Sequence, residues 1–244
     1  QSNHYSHHCQ LSILNDLVNV TLVGNDHFTS RSKKASLFRM PLNSSTTLDN
    51  VTAEDNVGTL FRVDEASIAI MRSNFSKNSV CRRGVILAKA SDISISVSSF
   101  DSNRCKRSRA VRIEGSSWSS SRDKSIRILD CTFQNNPNGG ISVTLLRKSE
   151  ILISNSTFVK NEAESGNGGA VLLDECTDCT LQVKASQFES NEARYGGAVA
   201  FWYSSGDVTL LKSNFTLNEA GWDGGAVQVY YAAGNFRFLD CEFV

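Results

Sequence analysis

Short stretches of alternating apolar and polar residues recur along the chain, and each ends on a phenylalanine. They read Ser-Ile-Ala-Ile-Met-Arg-Ser-Asn-Phe over 67–75, Ile-Ser-Ile-Ser-Val-Ser-Ser-Phe over 93–100, Ser-Ile-Arg-Ile-Leu-Asp-Cys-Thr-Phe over 125–133 and Glu-Ile-Leu-Ile-Ser-Asn-Ser-Thr-Phe over 150–158. A period of two, rich in β-branched residues, predicts strands with one buried face. Phe75, Phe100, Phe133, Phe158, Phe188, Phe215 and Phe243 close these runs, and Asn78, Asn103, Asn136, Asn161, Asn191 and Asn218 follow the first six by three residues. Weaker copies put Leu22 with Asn25 and Ala53 with Asn56 in the same two places. Intervals of 22 to 33 residues belong to stacked repeats, in which no unit buries its apolar face alone.

A second pattern lies between each asparagine and the next strand. Gly168-Gly169-Ala170, Gly196-Gly197-Ala198 and Gly224-Gly225-Ala226 recur at a spacing of 28, with Gly139-Gly140-Ile141 and Gly84-Val85 as degenerate versions. Paired glycines permit positive φ and close backbone approach, so each marks a corner between strands. Asparagines such as Asn161, Asn191 and Asn218 also tolerate the left-handed conformation. In turns stacked about 4.8 Å apart, their amides are expected to hydrogen-bond along the stack. A helical solenoid would need stretches of 3.6 periodicity, and a propeller would need blades of about 40 residues with four strands. The pattern predicts an all-β, right-handed parallel β-helix of about nine coils, its hand taken from the right-handed crossover preference. A single domain is expected over 1–244, with residues 1–20 as an N-terminal cap or lead-in and the strongest repeats over 150–244.

Composition adds where the chain is expected to work. No run of 18 apolar residues exists, so no membrane insertion is predicted for this segment. Net charge is zero, yet residues 81–148 hold 13 Lys and Arg against 5 Asp and Glu, and residues 149–244 hold 5 against 13. That asymmetry suits steering of one molecule's middle to another's tail or binding of an acidic polymer at the basic end, although a plain solvated surface is the favoured reading; no nucleic-acid partner is expected. Seven cysteines point to an oxidising compartment. Cys81 and Cys105 follow their phenylalanines by six and five residues, which puts them on neighbouring coils as a disulfide candidate. Cys176 and Cys179 form a lone Cys-x-x-Cys, read as a local loop disulfide ahead of metal or redox chemistry.

The double motif Phe-x-x-Asn with Gly-Gly-Ala is carried by Phe158/Asn161/Gly168–Ala170, Phe188/Asn191/Gly196–Ala198 and Phe215/Asn218/Gly224–Ala226. It resembles the repeats of chlamydial polymorphic outer membrane proteins and related β-helical surface proteins. The resemblance implies a secreted or surface-displayed passenger that adheres or builds structure, and it brings no catalytic residue.

Candidate sites sit on the outward positions. Asn-x-Ser/Thr acceptors occur at Asn19, Asn43, Asn50, Asn74, Asn155 and Asn214; strand alternation turns all but Asn43 outward, where a glycan would not disturb the core. Trp202 and Tyr230 align in one outward column with Asp174, and Tyr195 and Trp222 fall in loops just before the glycines, so the four form a candidate surface for a sugar ring or a protein. Long loops folded back over them are the competing reading. Glu162, Glu192 and Glu219 would stack on adjacent coils and repel, a weak Ca²⁺ candidate with Asp223; hydrogen bonds to the following loop or side chains pointing to water are favoured instead. His4, His7 and His8 lie beside Cys9, where a loose polar terminus is preferred to a metal site.

The expected function is a non-enzymatic extracellular or cell-surface rod with a structural or adhesive role. It is read as glycosylated and self-associating head to tail or laterally, with glycans or cell-surface proteins as further partners. The last coil is read as open, so either the chain is a fragment of a longer array or its end stacks on another molecule, and head-to-tail stacking would generate a filament. The alternative is a carbohydrate-active β-helix, either a glycan-binding module or a polysaccharide lyase or hydrolase. Its only dense acidic group is Asp174, Glu175 and Asp178, and fold analogy alone supports catalysis.

Overall fold

The computed structural model describes residues 11–12, 16–24, 36–79, 83–105, 108–115 and 123–244. Each repeat makes three short strands separated by corners, and the strands of one coil pair in parallel with those of the next. The result is three nine-stranded parallel sheets, each joining every coil to its neighbours. Seven coils are enclosed on both sides and one layer lies at each end, which is how the expected count of about nine resolves. The described part of the expected cap, Leu11–Ser12 and Leu17–Val18, already pairs with the second coil.

The register follows the sequence repeat. Leu22, Ala53, Phe75, Phe100, Phe133, Phe158, Phe188, Phe215 and Phe243 fall in one inward column of the third sheet. From Phe75 to Phe243 the rings stack face to face, with successive centroids 4.7 to 5.1 Å apart. Burial of one such side chain contributes about 1.5–3 kcal/mol. Isoleucines and valines of the other two sheets complete one continuous core.

The corners differ from expectation in an instructive way. Left-handed residues do occur, but beside the ladder asparagines. They stand two residues after the phenylalanine, at Lys77, Ser102, Asn135, Lys160, Ser190 and Leu217, and three before it, at Arg72, Val97, Asp130, Asn155, Ala185, Lys212 and Asp240. The ladder asparagines themselves turn inward. Each Nδ2 donates to the Oδ1 of the next asparagine, from Asn56 through Asn78, Asn103, Asn136, Asn161 and Asn191 to Asn218, at 2.8 to 3.2 Å. Each also donates to the carbonyl of the preceding coil's core residue, as Asn103 does to Phe75 at 2.9 Å. Buried amides need every partner, and this lattice supplies them.

The glycine pairs divide the two roles assigned to them. Gly168 has φ +64, while a Cβ on Gly169 would sit 2.5 Å from the carbonyl oxygens of Glu192 and Gly197. Gly139-Gly140 registers with Gly169-Ala170, one residue later than its spelling suggests. In that column Arg109 replaces glycine. Its buried guanidinium passes over Gly139 and donates to the carbonyls of Asn167 and Gly168, two coils away. Burial pushes its pKa down to about 9.

In the last three coils the stretch between asparagine and glycine is long enough for a fourth strand. Glu162–Asn167, Glu192–Tyr195 and Glu219–Asp223 form a separate three-stranded sheet. Tyr195 and Trp222 therefore stand on strands, where loops were expected.

Candidate binding surface

Two outward columns of the first sheet and its following corner position the side chains of interest. The strand-end column runs Asp64, Lys89, Glu114, Thr144, Asp174, Trp202, Tyr230. The corner column beside it carries left-handed Glu65, Ala90, Leu145, Glu175, Tyr203 and Tyr231. In the last two coils both columns become aromatic. Trp202 stacks on Tyr230 with centroids 4.2 Å apart, and Tyr203 stacks on Tyr231 at 5.4 Å. Tyr230 and Tyr231 meet edge to face at 4.5 Å. From the fourth sheet, Tyr195 packs 5.3 Å from Trp202 and 6.0 Å from Trp222. Arg194 lies over the Trp222 ring, 4.7 Å from its centroid.

The structure thus brings together Trp202, Tyr230, Tyr195 and Trp222 and adds Tyr203 and Tyr231, which the sequence pattern did not single out. Their signal is a second aromatic directly after the first, Trp-Tyr at 202–203 and Tyr-Tyr at 230–231. The fourth sheet folds partly over the cluster, leaving Tyr195 and Trp202 half-buried. Trp222 remains 67% and Tyr231 73% exposed, so the covering is incomplete.

Asp174 begins the aromatic column. Its Oδ1 is buried without a hydrogen-bond partner. Burial and then the neighbouring Glu175 push its carboxyl above the usual aspartate range. Asp64, at the same strand-end position in an earlier coil, also leaves its Oδ1 unpartnered, but it and Glu114 are paired with cations. Asp64 accepts ion pairs from Arg62 at 2.7 Å and Arg39 at 3.1 Å, and Glu114 from Lys89 at 3.0 Å and from Arg112.

Other candidates separate. Glu162, Glu192 and Glu219 are in register as expected. Among the described residues, no three His, Cys, Asp or Glu side chains converge closely enough to hold a metal ion. His4, His7, His8, Cys9 and Cys81 lie outside the described residues. Cys105 is disulfide-bonded, with its partner outside those residues. The six acceptor asparagines are exposed, but Asn19, Asn43, Asn50 and Asn155 are left-handed corner residues, and only Asn74 and Asn214 are on strands.

The Cys176–Cys179 loop disulfide is corrected: both residues are buried thiols. Each occupies a place held by serine in a neighbouring coil and turns to its own chain's carbonyl two residues back. Cys176 Sγ lies 3.6 Å from Asp174 O as Ser204 Oγ lies 2.9 Å from Trp202 O; Cys179 Sγ lies 3.6 Å from Thr177 O as Ser149 Oγ lies 2.9 Å from Arg147 O. The hydrogen bond to Cys179 and burial hold the Cys176 thiol well above its ordinary range. The same substitution occurs in a ladder that the sequence pattern did not reveal. Ser73, Ser98, Cys131, Ser156, Ser186, Ser213 and Cys241 all stand two residues before the stacked phenylalanines. Ser156 Oγ, for example, accepts from Cys131 N at 3.2 Å and donates to Ser154 O at 2.8 Å.

Compared with known families, residues 4–243 match the right-handed β-helix region. The chain belongs to the right-handed β-helix family. No curated protein and no solved structure gives a match. Within this β-helix the hand expected from the crossover rule agrees with the family's, and no described helix is long and apolar enough to cross a membrane.

Proposed function

We infer that this β-helix is a non-enzymatic rod with a structural or adhesive role, displayed at a cell surface or secreted, and that it attaches its partner through the aromatic surface of its last coils. The observation that carries this reading is the contact network of six outward aromatics, four of them at least 36% exposed. Contiguous aromatic surface on a solvent face is costly to keep unless it binds something. The likeness of the repeats to chlamydial surface proteins supports display, as does the disulfide that Cys105 makes. Glycans on the exposed acceptor asparagines fit the same location. The opposite charges of residues 81–148 and 149–244 favour staggered lateral or head-to-tail self-association that weakens with salt.

A second reading is a glycan-binding module, favoured by the nearly parallel Trp202 and Tyr230 rings, inclined by 22°. Beads coated with the protein should adhere to target surfaces, and the double variant Trp202→Ala/Tyr230→Ala should lose most adhesion while keeping its far-UV spectrum. Undiminished adhesion by a folded double variant would refute the assignment to this surface.

A further inference from the structure

The outward face of the first sheet repeats one device and then omits half of it. In the third coil Arg62 and Asp64 stand two apart on one strand and pair; in the fifth, Arg112 and Glu114 do the same. Register carries the arginine position through Ser142, Leu172 and Ala200, and the acid position through Thr144 to Asp174. Asp174 therefore keeps the acid while Leu172 stands where its arginine would be. Among the described residues no cation pairs with it; its Oδ1 is unpartnered, as is that of Asp64, so the missing cation is what sets Asp174 apart. The next residues up its column are the faces of Trp202 and Tyr230.

We propose that the Asp174–Trp202–Tyr230 column is a socket for an arginine side chain of a partner polypeptide. This rests on the adhesive reading above and names the chemistry of the partner it would hold. A guanidinium is planar, so it can lie against an indole or phenol while an edge donates to a carboxylate. It supplies what Arg62 and Arg112 supply to the equivalent acids within this chain. The chain also uses that stacking at the rim of the same surface, where Arg194 covers Trp222. Charge favours a basic partner, since residues 149–244 carry 13 acidic against 5 basic side chains. Glu175, at the foot of the Tyr203 and Tyr231 column, adds a second exposed carboxylate beside the socket.

The test uses a capped hexa-arginine peptide, with cellohexaose as an uncharged comparison, titrated while tryptophan fluorescence and heat are followed. Hexa-arginine should bind, and Asp174→Asn should weaken it about tenfold, as expected for loss of one charge-assisted hydrogen bond. Glu189→Gln, which removes an exposed acid of the same half on another sheet, should change it by less than about twofold. Leu172→Arg should abolish the site by supplying the missing partner from within. Equal losses in Asp174→Asn and Glu189→Gln would overturn the socket in favour of a diffuse field, and full binding by Leu172→Arg would overturn it directly. Cellohexaose binding without peptide binding would also overturn it while leaving the adhesive surface standing. If Trp202→Ala/Tyr230→Ala alters neither binding nor adhesion, both readings fall.

Discussion

The third to fifth coils and the seventh to ninth coils have the same three sheets, the same asparagine ladder and the same phenylalanine stack, yet their outer faces are opposites. On the first sheet of the earlier group, every acid at the strand end is matched by this chain's own lysine or arginine. In the later group the corresponding positions hold an unpaired Asp174 and four aromatic rings. Register and core are fixed by inward residues, so outward columns are free to be self-sufficient in one place and incomplete in another. Self-sufficient faces need nothing from outside; the incomplete one is where we place the proposed partner.

The comparison requires that the interior be equivalent in both groups. Phe100→Ala and Phe188→Ala should each cost about 3–5 kcal/mol in urea unfolding, and a large difference between them would show that the groups are not one scaffold. The acids should then respond with opposite signs. Glu114→Gln should destabilise by about 1–3 kcal/mol, because Lys89 and Arg112 lose a common acceptor. Asp174→Asn should instead stabilise slightly at neutral pH. Burial and then Glu175 raise its carboxyl in the folded chain, so the ionised form that asparagine removes is the costlier one there. Stability is thus full below the ordinary aspartate range and falls as pH rises through the folded value. The gain from asparagine should appear only on the neutral side and stay below about 1 kcal/mol, since Asp174 is only partly buried. Thermal melts of both variants from acidic to neutral pH test the contrast.

Smaller effects test the shared corners. Val97 and Asn155 hold the same left-handed corner position, at φ 49 in each case, but a β-branched side chain is strained there. Val97→Asn should stabilise by about 0.5–1 kcal/mol by chemical denaturation. Cys131→Ser should change stability by less than about 0.5 kcal/mol, because serine fills the same ladder in both groups. In the folded wild type the Cys131 thiol, pushed up to about 11 by burial, should resist alkylation that proceeds once the chain is unfolded.

Much of this architecture is legible in the amino-acid sequence. The period-two runs and the Phe-x-x-Asn spacing give the sheets, the inward column and the asparagine ladder, because a repeat states its own register. What stays hidden is less regular. Left-handed positions at Lys77, Val97 or Ala185 carry no residue signature, since stacking across coils imposes the conformation on whatever stands there. Cys176 and Cys179 read as a disulfide pair unless serine and cysteine are recognised as alternatives at one ladder position, although Cys131 and Cys241 share their offset with five serines. Trp202 and Tyr230 can be aligned from the glycines, but Tyr203 and Tyr231 join them only because the corner turns their side chains alongside. Asp174 needs the whole column before its missing arginine becomes visible.

Arg109 bears on how such an array can change. A solenoid in which coils touch only their neighbours can gain or lose a unit by slippage during gene duplication, since any coil fits on any other. Here a single side chain in the fifth coil grips the backbone of the seventh across a gap left by Gly139. Removing the sixth coil would shorten that span, and adding one would break it and strand a buried charge. A coil gained or lost at that point would have to come with a replacement for the Arg109 contacts.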